Sequence, residues 1–187
     1  TDRKTPLLNS AVVSHDRKHG ESSILAGVRE RFEASTDFTI GIEEEYQLLD
    51  PQTLALTNRF EELVDAAEPA LRERLAGELI ASEVEYRTAK HDTFASAARD
   101  LAQGRLDTIA LADRLGIAIG ISGVHPFSTW PDQRIIDTPH YQRLKHDLGY
   151  VVQRNNTWSL HVHMGIGGAD RVIAVCRVGG RSVGDLL

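Results

Sequence analysis

The chain has 187 residues, 41% of them hydrophobic and 26% charged, a balance that supports a packed core and excludes a disordered chain. Acids outnumber bases, 27 to 21, for a formal charge of −6. No overall basic surface is therefore available to hold a nucleic acid or an anionic membrane by charge. The longest run free of charge, Leu115–Pro131, is too short and too polar to span a bilayer. The single cysteine, Cys176, cannot make an internal disulfide, so a cytoplasmic location is expected.

Thr1–Glu21 is polar, mixed in charge and without a signal-type apolar stretch, and reads as a flexible leader; its His15 and His19 read as solvated. Ile24, Leu25, Val28 and Phe32 recur at helical spacing behind Ser22 or Ser23 as cap. Over Thr39–Leu49 the period changes to two. Ile40, Ile42, Tyr46 and Leu48 alternate with Gly41, Glu43, Glu45 and Gln47, which predicts a strand with one acidic face. Asp50–Thr53 is a turn, and Asn58–Ala67 and Pro69–Ala76 read as short helices.

Glu78–Thr88 alternates again, with Ile80, Val84 and Tyr86 on one side and Ala81, Glu83, Glu85 and Arg87 on the other. His91–Leu115 is the longest helical stretch, with an expected core stripe of Phe94, Ala98, Leu101, Ala102, Ile109, Ala112 and Leu115, and Gly116 stops it. Ile117–Val124 reads as a short strand buried on both faces, His125–Pro131 as a loop and Pro139–Leu148 as a helix. Thr157–Ile166 is the third alternating strand, with Ser159, His161 and His163 on its polar side. A helix from Ala169 to Arg177 is expected to break at Val178-Gly179-Gly180. Cys176, beside Ala174 and Val175, reads as a buried, inert thiol.

Each alternating strand carries a doublet of potential metal ligands on its polar side: Glu43 with Glu45, Glu83 with Glu85, and His161 with His163. Residues two apart on a strand point the same way, about 6.5–7 Å apart. Side by side in one antiparallel sheet, these pairs would share a patch whose carboxylates repel one another, and divalent cations would remove that repulsion. Oxygen-rich sites of this kind suit Mg²⁺ or Mn²⁺, and an imidazole can join them. A single Glu-x-Glu also reads as the solvated face of an ordinary strand; three doublets in one short domain favour a site. Glu44 points to the apolar face, where it either reaches an arginine or a helix N-terminus or lies at the sheet margin; a structural partner is favoured over a catalytic role. A phosphate-binding loop is absent. Gly165-Ile166-Gly167-Gly168 lacks a third spaced glycine, and Ser122 lacks a nucleophile elbow.

Thr39-Ile40-Gly41-Ile42-Glu43-Glu44-Glu45-Tyr46 with Asp50-Pro51 resembles the opening strand of the carboxylate–amine ligase family, the glutamate–cysteine ligases of type 2. The resemblance continues through Glu83-Val84-Glu85-Tyr86-Arg87-Thr88, Ser122-Gly123-Val124-His125-Pro126-Phe127, and His161-Val162-His163-Met164-Gly165-Ile166 with Asp170-Arg171. Four blocks in order make the match specific. It implies an α+β fold like that of glutamine synthetase and glutamate–cysteine ligase, with a curved antiparallel sheet and helices on one face. It also implies ATP-dependent amide formation through an acyl phosphate, with Mg²⁺ or Mn²⁺ and ATP. Glutamate and cysteine are the expected substrates, and activity on them is expected to be weak.

The resemblance assigns Glu43, Glu45, Glu85 and His161 to the metal. It assigns Glu43, Glu45, Glu85 and His163 to the nucleotide cofactor, and His161 to catalysis. Glu83 has no matched role, and His125 is expected to shape its loop. The match runs over residues 36–177, and residues 22–177 are expected to form the N-terminal part of the ligase catalytic domain. The tail 178–187 is atypical, as in a truncated chain. A half-sheet would expose an unpaired edge, so homo-oligomerisation is expected. The competing reading is a non-catalytic, metal-binding or self-associating half-domain. A His-x-His zinc hydrolase would need more downstream ligands than Asp170 and Asp185.

Overall fold

The computed structural model describes residues 25–184, with side chains described through Gly179. The leader, its serine cap and the last three residues lie outside the described residues. The chain divides into two units, Thr39–Met164 and a smaller one formed by segments on either side of it.

The larger unit is built on strand β1, Ile40–Leu49. On one side β1 pairs with β3, Glu83–Arg87, placing Gln47 opposite Glu83, Glu45 opposite Glu85 and Glu43 opposite Arg87. A two-residue strand β2, Leu75–Ala76, continues the sheet beyond β3. The other edge of β1 is shared. Residues 40–44 pair with β5, Leu160–Met164, and residues 47–49 with β4, Ala118–Gly120. All pairings are antiparallel, so the fold class is α+β with an open antiparallel sheet.

The alternation read in β1 divides the sheet into two faces. Ile42, Tyr46 and Leu48, with Val84 and Tyr86 from β3, enter the core, while Glu43, Glu45 and Gln47 fall on the opposite face. Helix α4, Phe94–Arg114, packs on the apolar face, capped at its start by Thr93, whose hydroxyl accepts from Ser96 N–H at 3.2 Å. Gly116, at φ +64°, takes the left-handed conformation that ends the helix. The short helices α2, Phe60–Asp65, and α3, Pro69–Arg72, adjoin the same core.

Glu44 is the charged member of the apolar face and is 4% exposed. Arg105 on α4 grips both its oxygens, at 2.7 and 2.9–3.1 Å, and Tyr46 donates its hydroxyl to Oε2 at 2.7 Å. The structural partner expected for Glu44 is therefore Arg105. A buried carboxylate held by a guanidinium fork and a phenol has its charge and its lone pairs matched.

A second cluster joins Leu79, Ile80, Val152 and Trp158, with Ile135, Tyr141 and Leu144 against it. It draws on α5, Pro139–Leu148, and α6, Tyr150–Gln153.

The smaller unit contains helical residues 25–33, labelled α1, and α7, Ala169–Gly184. Arg171 pairs with Asp37 at 2.9 Å, Arg29 with Asp170 at 3.1 Å, and Phe38 N–H donates to Gly165 O at 2.7 Å.

Several expectations need correction. Residues 75–76 are a strand and α3 stops at Arg72, because Leu75 pairs with Tyr86 across the ladder. Glu78–Ser82 is not part of β3; Ile80 instead bridges Ile135. The strand expected at 117–124 shortens to 118–120 and is half-buried, since the Ser-Gly sequence after it pairs little. The helix expected to break at Val178-Gly179-Gly180 continues to Gly184: glycine costs about 1 kcal/mol in a helix but does not forbid it. Cys176 is exposed, not buried, as are its neighbours Ile173, Val175 and Val178.

The core stripe of α4 also rotates. Leu101 and Ala112 are buried as expected, but Phe94 is exposed, and Ala97, Gly104, Thr108 and Leu111 complete the buried stripe. Small residues are used because the helix sits close over Tyr86. A Cβ built on Gly104 would lie 1.9 Å from the Tyr86 ring, whose hydroxyl is anchored to Asp100 at 2.8 Å. Gly104→Ala should therefore destabilise the chain by about 1–3 kcal/mol in chemical denaturation. This is the reverse of the gain of about 1 kcal/mol that helix propensity alone would give, and a stabilised variant would refute the close approach.

Candidate functional site

The pairing register places Glu43, Glu45, Glu83, Glu85, His161 and His163 on one face of the sheet. Glu45 faces Glu85 across one ladder, and Glu43 faces His161 across the other. The three doublets expected to share a face therefore do share one.

Two small networks divide these residues. In the first, Glu43 Oε2 accepts from His163 Nε2 at 2.8 Å and stands 3.7 Å from His161 Nδ1. In the second, Glu45, 5% exposed, has both oxygens held by Ser159: N–H to Oε2 at 2.6 Å and Oγ–H to Oε1 at 2.9 Å. Ser159 lies one residue before β5. There the strand stops pairing by backbone alone and gives its N–H to a side chain.

Sequence reasoning missed Glu78. One oxygen each from Glu45, Glu78 and Glu85 lies within 4.8 Å of the others. Alternation over Glu78–Thr88 puts Glu78 in phase with the apolar Ile80 and Val84, but β3 begins only at Glu83, and in the irregular segment between β2 and β3 that phase does not hold. The acid between Gly77 and the buried pair Leu79-Ile80 is the one local trace. Ser159 was likewise read only as a polar-face residue.

The electrostatics reflect the crowding. Glu78 is raised from 4.5 to about 7, first by its hydrogen bond to Glu45, then by burial and by the charges of Glu45, Glu85 and Glu43. Glu83 is raised to about 9, chiefly by burial and then by Glu45, Glu78 and Glu85. Burial and the Glu43 charge also push Glu85 up, partly offset by Arg87. The same field lifts Tyr141 to about 12, after burial. Glu83 is 3% exposed, and its Oε1 has no hydrogen-bond partner. A buried oxygen without a donor, beside carboxyls that retain protons near neutrality, marks a face short of positive charge.

A divalent cation fits that deficit. Two oxygens on one Mg²⁺ are separated by at most about 4.2 Å, twice a bond of about 2.1 Å, so the Glu45–Glu78–Glu85 trio needs only a short closing movement to become a ligand set. The donors are oxygens with a nearby imidazole, the set that hard cations prefer.

The gap between β4 and β5 leaves a cavity of about 220 Å³ against Glu45, lined also by Ser122, Gly123, Trp158 and Ser159. A larger cavity of about 700 Å³, lined by Trp130, Arg134 and Lys145 among others, includes none of these carboxylates. His125 shapes its loop as expected, its Nε2 2.9 Å from Leu54 O and its Nδ1 accepting from Ser128 N–H at 2.9 Å.

Residues 39–185 match the family model described as glutamate–cysteine ligase family 2. A protein of Rubrobacter xylanophilus named putative glutamate–cysteine ligase 2-2 is 49% identical over 72% of this chain and 34% of its own length. A second protein of that organism, named putative glutamate–cysteine ligase 2-3, is 38% identical over 76% of this chain and 40% of its own. A relative in Nocardia farcinica, named putative glutamate–cysteine ligase 2-2, is 34% identical over 81% and 41%. The chain thus spans between a third and about two-fifths of the length of these relatives. The matched segment contains β1, β3, β5 and every carboxylate and imidazole of the shared polar face. The chain belongs to glutamate–cysteine ligase family 2.

Proposed function

We propose that the chain carries the cation-binding part of an ATP-dependent carboxylate–amine ligase of the glutamate–cysteine type, with the glutamine synthetase-like sheet that such chemistry uses. In the reaction, a substrate carboxylate oxygen takes the γ-phosphoryl group and ADP leaves. The amine then attacks the acyl phosphate and phosphate departs, so an amide forms and a proton is released. Glutamate is the proposed acid and cysteine the proposed amine.

The observation that carries this reading is the convergence of Glu45, Glu78 and Glu85 within 4.8 Å, next to the Glu43–His161–His163 group. Glu43, Glu45, Glu78, Glu85 and His161 are the residues proposed to hold Mg²⁺ or Mn²⁺, which would neutralise phosphate charge during transfer. Phosphoryl transfer asks the protein for positioning and charge neutralisation rather than for a covalent nucleophile. His163, tied to Glu43, is proposed to orient that carboxylate toward the nucleotide side, and His161 to meet the reacting groups. The cavity beside Glu45 has room for one amino-acid-sized molecule.

A second reading is favoured by one observation. Leu160, Val162 and Met164 on β5 are 52–58% exposed, and Leu160 and Val162 border an open apolar groove with Phe94 and Ala98. A sheet left open in this way associates readily, as a non-catalytic half-domain would. ADP release that requires glutamate, cysteine and Mg²⁺ together supports the ligase; Mg²⁺ binding without turnover supports the half-domain.

Two outcomes are expected. By calorimetry, Glu45→Gln should weaken Mg²⁺ binding at least tenfold; unchanged binding would remove Glu45 from the cation site. The second concerns pH. A carboxyl whose folded pKa lies above its unfolded value stabilises the fold fully below the unfolded value and loses that contribution as pH rises through the folded one. With Glu78 raised to about 7 and Glu83 to about 9 from 4.5, the metal-free melting temperature should fall between about pH 4.5 and pH 9. Mg²⁺ should restore it most at the alkaline end. A flat profile indifferent to Mg²⁺ would contradict the crowded-carboxylate account.

A further inference from the structure

Ser159 stands where the two networks of the polar face meet. Its hydroxyl donates to Glu45 Oε1 at 2.9 Å and lies 3.1 Å from His161 Nε2. A serine hydroxyl has one proton. Because that proton goes to the Glu45 carboxylate, Oγ can only accept from the imidazole, so Nε2 is the nitrogen that carries hydrogen. In the neutral ring, Nδ1 is then the acceptor, and it is Nδ1 that faces Glu43 Oε2, at 3.7 Å.

The neighbouring bond is consistent. His163 Nε2 donates to the same Glu43 oxygen at 2.8 Å, leaving its remaining lone pair for another partner. A cation seated between Glu43 and His161 would need the Nδ1 lone pair, and an imidazole with its hydrogen on Nδ1 could not provide it.

We propose that Ser159 is a positioning residue that sets the tautomer of His161 and the orientation of Glu45 together, turning one lone pair from each toward the cations of the polar face. This rests on the reading of Glu43, Glu45 and His161 as cation ligands. Ser159 touches neither cation nor substrate in this account. It acts through the two side chains it joins, as hydrogen-bonded partners of metal ligands commonly do. The role divides within the residue. The backbone N–H bond to Glu45 Oε2, at 2.6 Å, is kept by any substitution other than proline, whereas the link to His161 belongs to the hydroxyl alone.

The test uses the 187-residue chain labelled with ¹⁵N-histidine, as wild type, Ser159→Ala and Ser159→Thr. Imidazole ¹⁵N shifts report the tautomer of His161, and the EPR signal of free Mn²⁺ reports affinity. The wild type and Ser159→Thr should show hydrogen on Nε2 and equal Mn²⁺ binding. Ser159→Ala should show a mixed tautomer and Mn²⁺ binding about tenfold or more weaker. Wild-type tautomer and affinity in Ser159→Ala would overturn the proposal. Failure of the wild type to bind Mn²⁺ would instead overturn the cation reading, and the tautomer comparison alone would then decide the role of Ser159.

Discussion

Electrostatic repulsion among carboxylates held on one side of a sheet is the constraint around which the larger unit is organised. Register enforces it. β1 and β3 pair so that Glu45 meets Glu85 directly, and Glu83 sits one pair further along the same face. Like charges opposite each other destabilise an antiparallel pair. Here the chain tolerates them by retaining protons on Glu78 and Glu83 and by turning hydrogen-bond donors from Ser159 and His163 onto Glu45 and Glu43. A cation would do the same work at neutral pH without the protons.

The opposite face holds that register in place. A slip of one residue would send Tyr46 and Leu48 to the polar side and Glu43 and Glu45 into the core. Arg105 makes such a slip costlier still, because its fork on Glu44 is cut to one position along β1. The close seating of α4 through Gly104 brings the helix near enough for that fork to reach. The apolar packing and the buried ion pair are thus the mechanical support of the acidic face.

Much of this was legible in the sequence where the pattern is local. Period-two alternation identifies β1, β3 and β5, and with them the shared face of Glu43, Glu45, Glu83, Glu85, His161 and His163. Glu44 announces a buried partner by standing out of phase. The identity of that partner, 61 residues away in sequence, depends on how α4 crosses the sheet. Glu78 escapes because alternation counted along Glu78–Thr88 puts it on the apolar side; the segment before β3 is irregular in the fold, which lets Glu78 reach the trio. Ser159 escapes because it ends a strand, where its N–H leaves the ladder for a carboxylate. Composition misleads in α7, where glycines at 179 and 180 look like a break yet remain helical, and at Cys176, whose apolar neighbours are themselves exposed.

The most direct test of the central claim is the position of a bound ion. In a crystal soaked in Mn²⁺, anomalous scattering should show a peak among the oxygens of Glu45, Glu78 and Glu85, with the three drawn together around it. A peak elsewhere on the chain, or an acidic face that stays empty at saturating Mn²⁺, would contradict the account.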